Sequence, residues 1–226
     1  LAVEKDTIPQ NKFDSEIDKV TSYIRSLIRK GTLEIGAPVK EAVLSEQLGI
    51  SRAPIREALQ VLVQEGLITS EPQKGKHVRQ MTGKEIYDSY VVAGILEGAG
   101  VAESLPLWTE ANMETFRSVV RQMEGKISYA TKLDELAEID ELFHATLFMA
   151  CDNTRLVEMA RTSCATISKY LYYQHWITMF TPREYADRHH AVAEAVYSRD
   201  VKHVETALRD HYKETGLRMA QFGKEA

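Results

Sequence analysis

Asp140 and His144 stand four residues apart in LDELAEIDELFHATLFMAC, so on a helix a carboxylate and an imidazole share one face. That pairing is a ready start for a metal site. Leu136, Ile139, Leu142, Phe143, Leu147 and Phe148 cover most directions around them, so this helix is expected to run through the middle of a bundle. A carboxylate in that setting is costly unless something compensates it. Two later segments supply candidates for the compensation. His189 shares a face with Val192 and Val196, and His211 lies on the apolar side of Val204 and Leu208, whereas His190 and His203 fall off those faces. One Asp and three His from three helices can therefore converge on a divalent ion, zinc or nickel by ligand type, with manganese a poorer match. Two plainer readings stay open here: each inward His as a hydrogen-bonded core residue, and Asp140 with His144 as a simple buried pair.

A second constellation points to nucleic acid. In LSEQLGISRAPIREALQVLVQEGL, Leu44 and Leu48 lie one turn apart, Gly49 supplies a turn, and Ser51 is placed to cap the next helix. Pro54 falls in its first turn; Ile55, Leu59 and Leu62 form the buried stripe. Arg52 and Arg56 face away from that stripe beside the positive end of the helix, where guanidiniums can fork onto phosphate or a guanine edge. Two arginines at this spacing are also what a solvated helix face looks like. The following segment tips the balance: Leu67–Ser70 and Lys76–Arg79 read as strands joined at Pro72–Gly75, a wing whose tip offers Lys74, Gly75 and Lys76 to a groove.

The elements that must position these groups follow in order. Leu1–Phe13 lacks periodicity and is expected to be a flexible tail. From Asp14 or Ser15 as cap, Ile17, Val20, Ile24, Leu27 and Ile28 form a helical stripe ending at Gly31. With the helix-turn-helix and wing, this fills residues 14–79. A linker at 80–82 leads into a capping box, Thr82 with Glu85. From 83 to 226 no alternating strand pattern occurs. Helices are expected near 83–104, 109–129, 133–151, 154–176, 182–198 and 200–222, punctuated by Pro106, Asp152-Asn153, Pro182 and Asp200. The fold class is thus mostly α: a winged helix-turn-helix of three helices and a β-hairpin, then an antiparallel bundle of six helices for effector binding and dimerisation.

Composition sets outer bounds. The 226 residues are 44% hydrophobic, enough for two cores, and carry a net charge of −5. Twelve basic residues meet eleven acidic ones in 1–80, and sixteen meet twenty-two in 81–226, so the acidic excess sits in the bundle. Cys151 and Cys164 lack metal or redox spacing and read as reduced core residues of a cytoplasmic protein. No run of about 18 apolar residues and no signal peptide are seen, so neither membrane spanning nor secretion is expected.

The stretch GTLEIGAPVKEAVLSEQLGISRAPIREALQVLVQEGLITSEPQKGKHV resembles the winged helix-turn-helix of the GntR family of bacterial transcription regulators, over Ser15–Arg79. The resemblance implies DNA contacts from Ser51, Arg52, Arg56 and the wing glycine Gly75. Two positions depart. The family's serine is Lys40 here, and one of its usual contact arginines is Ala42, which implies one contact fewer per half-site. Further on, DELFHATLFMACDN, HHAVAEAVYSRD and HVETALRDHY resemble the FCD effector domain of the family's FadR branch. Its metal-binding members imply Asp140, His144, His189 and His211 as the ligand set, the same residues that facing selects. That domain often has an arginine just before the Leu96-Glu97 pair; here the place is taken by Ala93, which argues against a simple carboxylate effector held by that arginine.

These readings converge on a ligand-responsive regulator, a repressor by expectation. It would bind a palindromic operator as a homodimer, with a divalent metal and a small organic effector, an organic acid among the candidates. The rival class is a metal-dependent hydrolytic enzyme fused to a winged helix. Against it, the chain has no H-E-x-x-H, no Ser/His/Asp or Cys/His arrangement and no phosphate loop; Gly83, Gly94, Gly98 and Gly100 do not form one. Use of the winged helix for protein docking alone would leave its paired arginines and basic wing without a purpose.

Overall fold

The computed structural model describes residues 15–225; the expected tail and the alternative cap Asp14 lie outside the described residues. The chain divides into two compact units, one running to Gln80 and including Lys169–Tyr173, the other Met81–Ser168 with the residues from Gln174 onward.

The first unit is a winged helix-turn-helix. Helix α1, Glu16–Arg29, starts at Ser15, whose hydroxyl accepts from the Asp18 N–H, and it buries Val20, Ile24 and Ile28. This stripe packs on α3, Arg52–Gln64, through Ile55, Ala58, Leu59 and Leu62, and Arg25 ties the pair together through Glu65. The short α2, Glu41–Leu48, ends at Gly49 with φ +66°, the left-handed conformation that turns the chain into α3. Strands β1, Ile68–Glu71, and β2, Gly75–Val78, pair antiparallel, one residue later and one earlier than the sequence suggests. The shift follows from Gln73 and Gly75, both at positive φ, which close the loop over Pro72–Lys74. Segment 36–39 adds to the outer side of β2 through Val39 N–H to the Lys76 carbonyl at 2.8 Å and Val78 N–H to the Ala37 carbonyl at 2.9 Å.

The second unit is all helical. Helix α4, Gly83–Ser104, opens with the reciprocal Thr82/Glu85 capping box, and α5, Glu110–Ile127, follows from a similar Thr109/Asn112 box. Then come α6, Ala137–Leu147; α7, Thr154–Ser163; α8, Tyr173–Trp176; α9, Pro182–Ser198; and α10, Val201–Ala220. The α4–α10 pair is the central seam. Glycines let the two backbones close up: a Cβ on Gly216 would sit 2.8 Å from Tyr90 Cβ, and one on Gly94 2.9 Å from Tyr212 Cβ. That packing role answers why α4 is rich in glycine. By length and composition alone, Gly83–Leu107 could cross a membrane, but 50% of its most apolar stretch is buried against the rest of the chain, as in a core helix.

Two expected helices are interrupted. The segment 133–151 begins as a 3₁₀ turn, Leu133–Leu136, and its α-helix ends at Leu147, after which Phe148, Met149 and Cys151 make only i→i−3 bonds. Segment 154–176 breaks after Ser163. The hydroxyls of Thr162 and Ser163 bond back to the carbonyls of Glu158 and Met159, and the chain resumes as a π-helical stretch, Ile167–Leu171. Helix α6 also has a wet side: Glu138, Glu141 and Leu142 are exposed, so it lies on the bundle and not through its centre. The periodicity misled because Leu142 is apolar yet 42% exposed.

Candidate metal centre and nucleic-acid interface

Three helices bring His144 (α6), His189 (α9) and His211 (α10) together; one ring nitrogen from each lies within 4.8 Å of the others. Three nitrogens around a tetrahedral ion at about 2.1 Å would be roughly 3.4 Å apart, so small side-chain adjustments close the set. His190, 42% exposed and 3.0 Å from Glu124, and the exposed His203 stay outside it, as their helix faces suggested.

Each imidazole is oriented by a second contact. His189 Nδ1 lies 2.8 Å from the Tyr185 carbonyl, an oxygen that can only accept, so the proton sits on Nδ1 and Nε2 carries a lone pair. That nitrogen is buried without a hydrogen-bond partner, although Asp140 Oδ1 is 3.2 Å away. Two acceptors facing each other at that distance call for a cation between them. His211 Nδ1 is likewise buried and unpartnered. His144 Nδ1 sits 2.6 Å from Glu97 Oε1, whose other oxygen accepts from Tyr212 at 2.7 Å; Nε2 is left as the ligand atom. Asp140 also accepts from the Tyr185 hydroxyl at 3.0 Å. The donor set, neutral imidazoles plus a carboxylate with orphaned nitrogens, fits a divalent ion of the borderline class.

The electrostatics agree. Burial by itself lowers His144, but the charges of Glu97 and Asp140 outweigh it and raise the imidazole from 6.5 to about 9. Burial pushes His211 well below 6.5, helped by His189 and Arg188, and it also lowers His189 against the pull of Asp140. Asp140, which burial would raise, is held low by His189 and His144. Glu97 was not among the sequence candidates. Its signal was a lone carboxylate between Leu96 and Gly98 in an apolar helix, and it is only 3% exposed. Ala93, one turn earlier on α4, is fully buried.

In the winged helix, Arg52 and Arg56 are exposed on α3, with the Arg56 side chain 67% exposed. Ser51 occupies the N-cap position, but its hydroxyl makes no capping bond, contrary to expectation; with ψ at 160° the side chain is left exposed at the helix start. Lys74 and Gly75 form the exposed wing tip, Lys74 pairing with Glu71 at 2.7 Å. Lys76 departs from the expectation of a groove-facing tip residue. It is half-buried, with Nζ 3.0 Å from Glu41 Oε1, because it lies past the turn where β2 passes α2. Glu41 also holds Arg56 at 3.3 Å, and the Lys76 bond lowers its carboxyl despite partial burial. Lys40 stands at the N-cap of α2 without a side-chain cap, and Ala42 is exposed.

A winged helix with exposed arginines joined to a helical unit with an ion-competent interior defines a DNA-binding regulator. Family models agree: residues 16–78 match the bacterial regulatory proteins of the gntR family, and residues 88–214 match the FCD domain. The chain belongs to the GntR family, and it is a transcription regulator, not an enzyme. Among curated relatives, the HTH-type transcriptional repressor RspR of Escherichia coli (strain K12) is 25% identical over 100% of this chain and 96% of its own length. The probable D-xylose utilization operon transcriptional repressor of Paenarthrobacter nicotinovorans is 30% identical over 62% of this chain and 61% of its own length. Among solved structures, E. coli McbR/YncC shares the fold with a TM-score of 0.68 at 19% identity, covering 93% of this chain and 99% of that one.

Proposed function

We propose that this chain is a homodimeric, metal-containing repressor whose operator affinity is set by a small organic effector bound in the helical unit. The observation that carries the reading is the pair of orphaned buried nitrogens, His189 Nε2 and His211 Nδ1, beside His144 and Asp140. Asp140, His144, His189 and His211 would hold the ion, with zinc or nickel suited to imidazole nitrogen and one carboxylate. When bound, the ion supplies a Lewis-acidic position at which an effector oxygen can be recognised. Glu97, Tyr185 and Tyr212 keep the ligand atoms pointed inward.

Ser51, Arg52, Arg56, Lys74 and Gly75 would contact DNA, with Lys76 joining once it leaves Glu41. One winged helix touches too little duplex for tight binding, so two related by a two-fold axis would read a palindrome. Val92 and Ile95 on α4, 45% and 41% exposed, and Met159 on α7, 45% exposed, offer an apolar surface for pairing two copies. Such a protein works in the cytoplasm, where its operator is. The effector acts by its difference in affinity for the DNA-competent and DNA-incompetent arrangements.

The test combines metal analysis of the purified protein with band shifts on DNA upstream of genes neighbouring its own. About one equivalent of metal, lost in His189→Ala, and a shifted fragment are expected. Protein that carries no metal and takes none up would sink the metal half of the reading; absence of any shifted fragment would sink the other.

A further inference from the structure

The groups around the three histidines can be counted for charge. Asp140 and Glu97 contribute two negative charges, and the imidazoles, each with one nitrogen committed to ligation, contribute none. Arg188 is the nearby cation, only 12% exposed, but Glu214 at 2.9 Å already neutralises it, and its remaining bonds go to the His211 carbonyl and Thr215 hydroxyl. A divalent ion therefore brings the cluster to neutrality by itself. On α4, Tyr90, Ala93 and Glu97 recur at three- and four-residue spacing on the buried side of the helix. Ala93 brings no charge. The hydroxyl of Tyr90, 2% exposed, has no hydrogen-bond partner.

Resting on the metal-centre reading above, we infer that this site selects an uncharged, oxygen-rich effector, a polyol or sugar-like molecule, over a carboxylate. A neutral hydroxyl can fill an open coordination position and leave the cluster neutral, while a further hydroxyl can partner Tyr90. A carboxylate would leave a net negative charge in a poorly solvated interior with no free cation to balance it.

The experiment uses the full-length protein loaded with Co²⁺, read by visible absorption and calorimetry. The probes are sorbitol and gluconate, which differ in a carboxylate replacing a hydroxymethyl group. Wild type should bind sorbitol at least tenfold more tightly than gluconate. Two variants raise the local charge by one in different ways, Ala93→Arg and Glu97→Gln. Each should shift the gluconate-to-sorbitol affinity ratio at least tenfold toward gluconate, and the second keeps the test alive where the larger side chain at 93 prevents folding. A wild type that prefers gluconate, variants that leave the ratio unmoved, or indifference of every form to both compounds overturns the inference. Failure to take up Co²⁺ is a different result: it removes the metal centre on which the inference stands.

Discussion

Glu97 illustrates how a single buried carboxylate organises a site. It fixes the His144 tautomer through a 2.6 Å contact while a tyrosine holds its other oxygen. Replacing it with glutamine keeps the shape but removes the charge, and outer-shell losses of this kind cost about 10–100-fold in metal affinity. Competition against a chromophoric chelator should show a fall in that range for Glu97→Gln; unchanged affinity would return Glu97 to a purely structural role. At the DNA end, Arg52→Ala and Arg56→Ala should each cost about 1–3 kcal/mol of operator binding, measured by titrated band shifts in a buffer of fixed salt. Residue chemistry was also where the sequence was most readable. Asp140, His144, His189 and His211 could be picked by helix face, and the structure brings the three histidines to within ligating reach of one another. Glu97 and the Glu41 clasp were missed because each depends on which helices meet, and helical periodicity within one segment carries no such information.

Among the elements, the α4–α10 seam depends on close backbone approach. Alanine at Gly216 would gain about 1 kcal/mol of helix propensity. Its Cβ, however, would press to 2.8 Å on Tyr90 Cβ, and overpacking of this sort costs about 1–3 kcal/mol. Net destabilisation of Gly216→Ala is expected in urea unfolding, and stabilisation would show that the seam can open without penalty. Helix ends were legible where a side chain announces them: the Thr82, Thr109 and Thr181 capping boxes and Asp200 all cap as their residue types suggest. The breaks after Leu147 and Ser163 were not, since no proline or glycine marks either one. There, local hydroxyl bonds and short-range turns win over an apolar pattern that continues across them.

For the whole molecule, the raised His144 gives a pH signature in the metal-free protein. Its folded value near 9 exceeds the unfolded 6.5, so the stability it contributes is complete below about pH 6.5 and is lost as pH rises through 9. The shift sets an upper bound on the order of 3 kcal/mol. His211 acts with the opposite sign: neutral when folded and protonated in the unfolded chain, it removes stability as pH falls below 6.5. Chemical denaturation of the metal-free form should therefore be most resistant near pH 6.5, and metal loading should flatten the alkaline limb, because the loaded imidazole has no proton to lose there. A profile that climbs steadily from pH 6.5 to 9 without metal would contradict the Glu97–His144 pairing.

Glu41 grips one cation from the recognition helix and one from the wing. In the free protein this carboxylate stands where a nucleic-acid phosphate could later stand, so the two basic groups are rehearsed in position before any duplex arrives. The entropy of ordering them has been spent in advance, and the duplex must then win both from an internal rival. Chance encounters with random DNA would be short-lived as a result, and residence would lengthen only where the sequence offers enough additional bonds to break the grip.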